Sequence, residues 1–317
     1  MVVKLLNIPN FYSTYYLLGL YKEYRLQFEA DTRFIKFNNL PILIFQINGK
    51  IAVIDNDDPV GVVQELYEVC DLYFVTNKLK NTASYNQKKV RSLFPHFPVN
   101  VIAIYIRVFG FELLRYLNLK ELVRQIYIQW RRPYYKGVVF TKITDKFVFF
   151  SSNIWKKEPH ANAIRAEFIR FCIKDPRISF EGGFVSRSDK NNLGFEDVVN
   201  KVVYSPKTFS RLSSKSLIAL NNPAVCDAVS WRLADYLNQG LFVVSFPFKI
   251  ELPKDFVDQQ NIYFINSTEE YGKVLNTILI DTEFHEKISR NGKDYFDTYC
   301  TPRAQAKYII EQLLKNN

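Results

Sequence analysis

Short apolar runs alternate with segments of helical periodicity through the second half of the chain. The runs are 146–151 (KFVFFS), 216–220 (SLIAL), 241–245 (LFVVS) and 261–265 (NIYFI). Continuous apolar runs of this length, bounded by turn residues, are typical of strands that are covered on both faces of a parallel sheet. Strands that alternate with helices predict an α/β fold.

The stretch 213–253 shows this alternation most fully. Its first strand is stopped by an Asn-Asn-Pro turn, and a helix over 227–237 follows. Gly240 closes that helix, because glycine tolerates the positive φ that a helix end often requires. Apolar residues repeat on one side of the helix, so we expect Arg232 and Asp235 on the other side, close to the strand ends where such folds bind ligands.

The first half of the chain also contains strand-like runs. Three of them are 41–46, 51–54 and 71–76, and the pair Asn48-Gly49 between the first two predicts a two-residue hairpin. A continuous β-branched run over 100–109 (NVIAIYIRVF) predicts a further buried strand or the start of a buried segment.

A domain boundary is predicted near residue 137. The segment 111–130 has the period of a helix, and a stretch with proline and glycine follows before a new α/β series begins. A chain of 317 residues is long for a single core. We therefore expect a first domain over 1–137 and a second over 138–298.

Charge and cysteine content restrict the partners. The net charge of +10 favours an anionic partner such as a nucleotide diphosphate, an anionic membrane with lipid-pyrophosphate acceptors, or a nucleic acid. The four cysteines lie far apart and form no CxxC pair, which is typical of reduced cysteines in a cytoplasmic protein without a zinc site.

The sequence contains neither a signal-peptide pattern nor an apolar run long enough for a membrane span, and we expect a soluble protein. The basic, aromatic segment 119–136 could attach it peripherally to an anionic membrane surface, at the inner face of the membrane. The alternative for this segment is an ordinary helix that ends in a proline-containing linker.

Asp55, Asp57 and Asp58 follow an apolar strand and form a carboxylate cluster. Mutual repulsion and partial burial can raise one pKa in such a cluster towards the range of a general base. Aspartate before proline is also common in turns and helix caps, so a structural role stays open.

Residues 151–153 are a second candidate site, for phosphate. Ser151, Ser152 and Asn153 lie between a predicted strand and a predicted helix over 162–172. Backbone N–H groups and the helix dipole favour phosphate at such a junction. His96 and His160 lie in loops and could contact substrate, or could simply pack or cap a helix.

The run W-R-L-A-D-Y-L-x-x-G-x-x-V-V-S at 231–245, followed by the E-L-P loop at 251–253, resembles the donor-sugar segment of GT-B glycosyltransferases. The similarity is to the exostosin-like and bacterial polysaccharide members and covers about 138–317. It implies two Rossmann-like domains that face a central cleft, with a C-terminal helix over 299–317 that crosses back to the first domain.

The resemblance also implies roles for individual residues. Arg232 would face the nucleotide-sugar phosphates, and Asp235 or Glu251 would contact the ribose or the sugar. The segment before the central strand would help to hold the nucleotide, although its serines could equally cap a helix; its candidates are Arg211, Ser214 and Lys215.

The resulting hypothesis is a glycosyltransferase that moves a sugar from a nucleotide-sugar donor to a saccharide or lipid-linked acceptor in cell-surface polysaccharide synthesis. The resemblance implies that it needs neither metal nor cofactor, and it favours inversion with a base from the first domain, from Asp55, Asp57 or Asp58. Asp55 and Asp57 match the letters D-x-D but lie outside the donor domain.

Two other functions stay open. A basic nucleic-acid-binding protein fits the charge, but no helix-turn-helix, zinc-finger or RNP pattern occurs, and we expect no nucleic-acid partner. A catalytically inactive GT-B-like partner protein fits the same sequence. Walker A, HExxH, GxSxG and kinase motifs are missing from the sequence, so the enzyme classes that carry them are not supported.

Overall fold

The computed structural model describes residues 1–315, and these divide into two compact units. Unit 1 comprises 1–137, 249–255 and 297–315. Unit 2 comprises 138–248 and 256–296. Each unit combines a sheet with packed helices, so the predicted α/β class is confirmed.

Unit 1 is built on a six-stranded sheet in the order β2-β1-β3-β4-β5-β6. Its strands are β1 (Val2–Leu5), β2 (Arg25–Phe28), β3 (Ile42–Ile47), β4 (Lys50–Asp55), β5 (Leu72–Val75) and β6 (Val90–Ser92). Its first five helices are α1 (Thr14–Glu23), α2 (Gln64–Val69), α3 (Ile102–Phe109), α4 (Glu112–Tyr116) and α5 (Leu119–Trp130).

The sheet of unit 1 is mixed, because β3 runs antiparallel to both of its neighbours while the other pairs are parallel. The predicted hairpin between β3 and β4 is confirmed. Asn48 and Gly49 have φ of 50° and 82°, the positive values that a tight hairpin turn requires.

At the end of the first half the structure differs from the predictions in two ways. The run 100–109 forms the helix α3 rather than a strand, with Tyr105 and Phe109 buried one turn apart. The segment 111–130 forms two helices, α4 and α5, because the chain is extended at Leu117 and Asn118. Burial of an i, i+4 aromatic pair overrides the strand propensity of β-branched residues here.

Unit 2 contains two three-stranded parallel sheets. Their strands are β7 (Phe147–Asn153), β8 (Ser179–Val185), β9 (Val199–Asn200), β10 (Ala219–Asn221), β11 (Val243–Ser245) and β12 (Tyr263–Phe264). The helices are α6 (Pro159–Lys174), α7 (Pro206–Ser213), α8 (Trp231–Asn238), α9 (Tyr271–Ile280) and α10 (Thr282–Tyr295).

The two sheets of unit 2 adjoin along β7 and β10. Just before β10, the Leu217 N–H donates to the Phe147 carbonyl (2.7 Å), and Ser216 Oγ accepts from the Phe149 N–H (3.0 Å). The six strands therefore lie in the order β9-β8-β7-β10-β11-β12. This is the 3-2-1-4-5-6 order of nucleotide-binding α/β folds, with the direction of winding reversed between β7 and β10.

The last helix, α11 (Pro302–Lys315), belongs to unit 1 and packs on α1. Gly19 makes this approach possible, because a Cβ at that position would lie 2.1 Å from the Pro302 carbonyl oxygen. Within residues 1–315, every helix falls short of the length and apolar character that crossing a membrane requires.

Candidate functional site

The candidate site of unit 2 lies at the carboxyl ends of β7 and β10, the two strands between which the winding reverses. Residues just before β10 contact the start of β7, whereas Arg232, in the first turn of the helix that follows β10, lies over the Phe150 ring in the middle of β7. The two strands therefore run in the same direction and end at one edge. Open α/β sheets bind ligands at this edge, where the winding reverses.

Arg165 is a buried cation at this edge. Its side chain on α6 is only 1% exposed. Nη1 donates to Ser152 Oγ (2.7 Å) and to the Asn153 carbonyl (2.9 Å), while Nε donates to the Ala161 carbonyl (2.8 Å) and Nη2 to Asn162 Oδ1 (2.6 Å). These bonds fix the guanidinium against the end of β7.

The electrostatics of Arg165 are those of a desolvated cation. Burial lowers its pKa to about 9, and like-charge repulsion from Arg232 acts in the same direction, against a smaller opposing effect of Glu158. The side chain is still charged at neutral pH. Its guanidinium also stacks 3.9 Å from the centre of the Trp155 ring, so that tryptophan packs on the arginine.

Arg232 is the second cation of the site. It occupies the first turn of α8, where Ser230 Oγ caps the helix by accepting from the Arg232 N–H (3.3 Å). The guanidinium carbon lies 5.5 Å from the ring centres of both Phe150 and Phe209. Aromatic rings thus hold the side chain in place, and the helix N-terminus adds positive potential.

Asp235 lies one turn further along α8. Burial raises its pKa to about 6, although a hydrogen bond from Gln239 (3.0 Å) and the charge of Arg232 oppose the shift. The carboxyl therefore belongs to the electrostatic environment of Arg232. Its hydrogen bond ties it to its own helix.

Asn221 ends β10 at the same edge and is 3% exposed. Its Nδ2 donates to Ser245 Oγ at the end of β11 (2.9 Å). Its Oδ1 has no hydrogen-bond partner among the described residues. A buried acceptor without a partner is costly, and a ligand donor could satisfy it.

The loop between β10 and α8 is strained. Cys226 and Asp227 are consecutive residues with φ of 53° and 61°, in the left-handed region that non-glycine residues seldom adopt. Strain of this kind clusters in ligand-binding loops. The loop connects the Asn221 strand end to Arg232.

The predicted phosphate-contact residues lie at this site, but not all are available. Ser151 and Ser152 are buried, and Ser152 Oγ is bonded to Arg165. Asn153 is exposed, and its carbonyl also accepts from Arg165. Ser152 and Asn153 thus position Arg165, and the charge at this edge comes from Arg165 and Arg232.

Three residues predicted beside Arg232 lie elsewhere. Arg211 and Lys215 line an open cavity of about 630 Å³ with Lys146 and Ser179, at the starts of β7 and β8. Ser214 Oγ donates to the Arg211 carbonyl at the end of α7. A helix between parallel strands returns the chain to the amino edge, so residues just before β10 lie opposite the Arg232 edge.

Glu251 belongs to unit 1, although we predicted it within the donor domain. Its carboxylate pairs with Lys78 Nζ (2.6 Å), and its N–H donates to the Lys78 carbonyl (2.7 Å). Leu79 and Ile250 form an antiparallel bridge beside them. The E-L-P loop therefore packs on the segment after β5.

The Asp55 cluster does not share one environment. Asp55 is buried at the end of β4, where Oδ2 accepts from Tyr73 Oη (2.6 Å) and Oδ1 from the Asp57 N–H (3.0 Å). Burial raises its pKa to about 6, against these two hydrogen bonds. Asp57 and Asp58 are exposed, and Asp57 Oδ1 accepts from the Asp58 N–H (2.9 Å).

The loop histidines differ in environment. His96 is buried beside the rings of Tyr15 and Tyr16, and burial lowers its pKa to about 3. A neutral, enclosed imidazole of this kind is a packing residue. His160 is exposed in the first turn of α6. Within residues 1–315, no group of three or more His, Cys, Asp or Glu side chains is placed to hold a metal ion.

Sequence reasoning missed Arg165 and Asn221. A signal for Arg165 exists, because it follows Ala161 and precedes Phe168 and Cys172 at the spacing of the apolar side of α6. A charged residue on that side must find partners inside the protein. Asn221 was interpreted from the sequence only as part of the turn that ends the strand.

No protein-family model matches the chain, and no curated protein matches it. Solved structures do. The C-terminal domain of the glycosyl transferase group 1 family protein LpcC from Francisella tularensis is 18% identical over 50% of this chain and 87% of that one, with a TM-score of 0.32.

Two further structures match more of the chain. Alr3699/HepE from Anabaena, in complex with UDP-glucose, is 12% identical over 79% of this chain and 65% of that one, with a TM-score of 0.44. UDP-GlcNAc 2-epimerase from Neisseria meningitidis is 14% identical over 99% of this chain and 100% of that one, also with a TM-score of 0.44. This chain thus spans less than two thirds of the length of HepE, and similarity of this degree does not identify its activity.

Proposed function

We propose that this chain is a GT-B glycosyltransferase that moves a sugar from a nucleotide-sugar donor to an acceptor hydroxyl. The observation that carries the proposal is the pair Arg165 and Arg232 at the carboxyl edge of the unit 2 sheet. A diphosphate suits that edge, because the Arg232 guanidinium can bind phosphate oxygens in a bidentate manner. Arg165 adds positive charge nearby, although four of its five N–H groups already donate within the protein.

The way in which the phosphate would be held separates this proposal from a dinucleotide oxidoreductase. The sequence after β7 is Ile154-Trp155-Lys156-Lys157, without the G-x-G-x-x-G loop that brings backbone close to a pyrophosphate. Here side-chain cations take that place. They would stabilise the negative charge that develops on the nucleoside diphosphate as the glycosidic bond breaks.

We propose that transfer proceeds without a metal ion and with inversion at the anomeric carbon. The two arginines can offset the leaving-group charge, so the arrangement needs no bridging cation. Inversion requires a base that removes the proton of the acceptor hydroxyl. Asp57 and Asp58 suit that role better than Asp55, because they are exposed while both carboxylate oxygens of Asp55 accept internal hydrogen bonds.

The proposed acceptor is a saccharide or a lipid-linked saccharide in cell-surface polysaccharide synthesis, used at the cytoplasmic face of a membrane. The net charge of +10 supports an anionic surface or an acceptor that carries pyrophosphate. Neither a cofactor nor nucleic acid enters this scheme.

Isothermal titration calorimetry with a panel of nucleoside diphosphates, UDP among them, tests the site. We expect Arg232→Ala to weaken binding roughly 10- to 100-fold, because a hydrogen bond to a charged group contributes about 1.5 to 3 kcal/mol. The matched control is Arg290→Ala, which removes another arginine of unit 2 that stacks on a ring, 4.3 Å from the centre of Phe140.

The control should bind the nucleotide like the wild type. Equal binding by the wild type and Arg232→Ala, or no binding of any nucleoside diphosphate, would contradict the assignment. Turnover of the Asp57→Asn and Asp58→Asn variants at unchanged donor affinity then tests the base, and NMR of the product gives the anomeric outcome. Full activity in EDTA is expected.

The same assays separate the alternatives. A nucleic-acid-binding protein would show affinity for DNA or RNA that falls steeply with salt, and no nucleotide-sugar binding. An inactive partner protein would show no turnover with any acceptor. Epimerisation or hydrolysis of the donor without an acceptor would assign a different reaction to the same site.

A further inference from the structure

Helix α5 is amphipathic, but its apolar side faces solvent. Its exposed apolar residues repeat at helical spacing and form what we name the α5 stripe, which consists of Leu119, Val123, Ile126, Tyr127 and Trp130. Leu119 and Trp130 are 71% and 68% exposed. A solvent-facing helix of a globular protein normally shows the opposite arrangement.

The inward side of α5 is largely polar. Besides Leu122, its buried residues are Gln125 and Gln129. Gln125 Oε1 accepts from the Phe11 N–H (2.9 Å), whereas the side-chain amide of Gln129 has no hydrogen-bond partner in the described part of the chain. The helix therefore buries amides and exposes a continuous apolar stripe.

The exposed apolar surface continues onto the helices packed against α5. Helices α3, α4 and α5 contact one another. Ile106 on α3 is 50% exposed, Phe111 in the next linker 89%, and Leu114 on α4 64%. Soluble monomers seldom expose so many large apolar side chains close together, and such surfaces mark interaction sites.

The segment that carries this apolar surface is also cationic. Residues 102–136 contain seven Lys or Arg and two Glu, a net charge of +5. Arg124 and Arg131 are exposed on α5 and at its end, where Arg131 Nη1 donates to Tyr127 Oη (3.3 Å). Exposed tryptophan and tyrosine next to arginine are typical of surfaces that enter the headgroup region of a bilayer.

We infer that the α3–α5 surface of unit 1 binds an anionic lipid bilayer, with the α5 stripe inserted among the headgroups and the surrounding Lys and Arg on acidic lipids. Charge decides between a bilayer and a protein partner, because an excess of cations around an apolar stripe complements an acidic leaflet. The inference rests on the exposed side chains of unit 1 and not on the proposed sugar transfer.

Vesicle co-sedimentation tests the surface. We expect the wild type to sediment with phosphatidylcholine vesicles that contain phosphatidylglycerol, and only weakly with phosphatidylcholine alone. The variant Leu119→Ser/Val123→Ser/Trp130→Ser should lose most of its binding to the anionic vesicles. The charge variant Arg124→Gln/Arg131→Gln should bind several-fold less, with the largest loss at low salt.

The matched controls lie in unit 2. Val203→Ser/Ile280→Ser removes apolar side chains that are 77% and 76% exposed, and Lys273→Gln/Lys287→Gln removes two exposed cations. Both controls should bind vesicles like the wild type. Unchanged circular dichroism and melting temperature would show that the stripe variant is folded, as expected for exposed positions.

Three results would overturn the inference. They are failure of the wild type to bind anionic vesicles, full binding by the folded stripe variant, and equal loss in the unit 2 controls. A wild type that is dimeric in sedimentation velocity and a stripe variant that is monomeric would instead assign the surface to a second copy of this chain.

Discussion

At the scale of single residues, the site depends on a cation that is inside the protein. Arg165 is hydrogen bonded to Ser152, to Asn162 and to two carbonyls, and it stacks on Trp155. The sequence could predict that Arg232 lies on a helix before a buried strand, because that helix and strand have a recognisable pattern. It could not predict how Arg165 is held, because Ser152, Asn153 and Trp155 lie on β7 and in the loop after it, which only the fold brings to α6.

Asp55 offers a test by pH. Its pKa is raised from 3.8 to about 6 by burial, so between these values the folded protein binds the proton more strongly than the unfolded chain. The stronger proton binding stabilises the folded protein at low pH. That stabilisation is lost as the pH rises from 3.8 to about 6. Asp55→Asn does not titrate, so the advantage of the wild type over this variant should shrink by roughly 2 to 3 kcal/mol between pH 4 and pH 7.

Urea unfolding of both proteins at several pH values measures this difference. Asp235, whose pKa is also raised to about 6, is present in both proteins and cancels. A difference that stays constant across the window would show that the environment of Asp55 does not favour its protonated form.

At the scale of elements, the sequence predicted strands better than the helices that cover them. The hairpin around Asn48-Gly49 was predictable, because its turn chemistry is local. Helix α3 was not, because its β-branched residues favour a strand until burial of Tyr105 and Phe109 decides otherwise. The outward stripe of α5 was visible as a helical period, but a sequence does not show which side of a helix faces the core.

Strand β8 supplies a prediction about packing. Gly182 pairs with Phe150 in the parallel ladder and has a φ of +133°, and a Cβ there would lie 2.0 Å from the Phe150 carbonyl oxygen. Glycine at 182 is thus explained by the close approach of β7, whereas a Cβ at Gly183 would lie 2.7 Å from the Val198 carbonyl oxygen. We expect Gly182→Ala to lower the free energy of unfolding by roughly 2 to 4 kcal/mol, because backbone cannot move aside cheaply.

Thermal or urea denaturation measures this loss. The control is Gly137→Ala, where an added Cβ meets no heavy atom within 4 Å. If both variants unfolded at the same denaturant concentration, the close approach of β7 and β8 would not be the reason for glycine at 182.

At the scale of the molecule, unit 2 offers two edges to a ligand, and the residues that the sequence assigned to a single donor site lie at both of them. Arg211 and Lys215 border the open cavity at the amino edge, whereas Arg165 and Arg232 lie at the carboxyl edge. Residues that are close in sequence can lie at opposite edges of the sheet, because each crossover helix carries the chain from one edge to the other.

Hydrogen exchange with and without UDP distinguishes the two edges. We expect bound UDP to slow amide exchange in 151–165 and 219–232, where backbone and arginines would contact the diphosphate. Segment 205–215 should exchange at an unchanged rate. Protection confined to 205–215 would place the nucleotide in the amino-edge cavity instead.

The packing of α11 on α1 has a consequence for synthesis. The residues from 1 to 137 leave the ribosome long before 249–255 and 297–315, which complete their unit. Until then the side of α1 around Gly19 has no α11 to cover it. All of unit 2 lies between residues 137 and 297, so unit 1 is begun before unit 2 and completed after it. Nascent unit 1 is therefore the part that chaperones would have to protect.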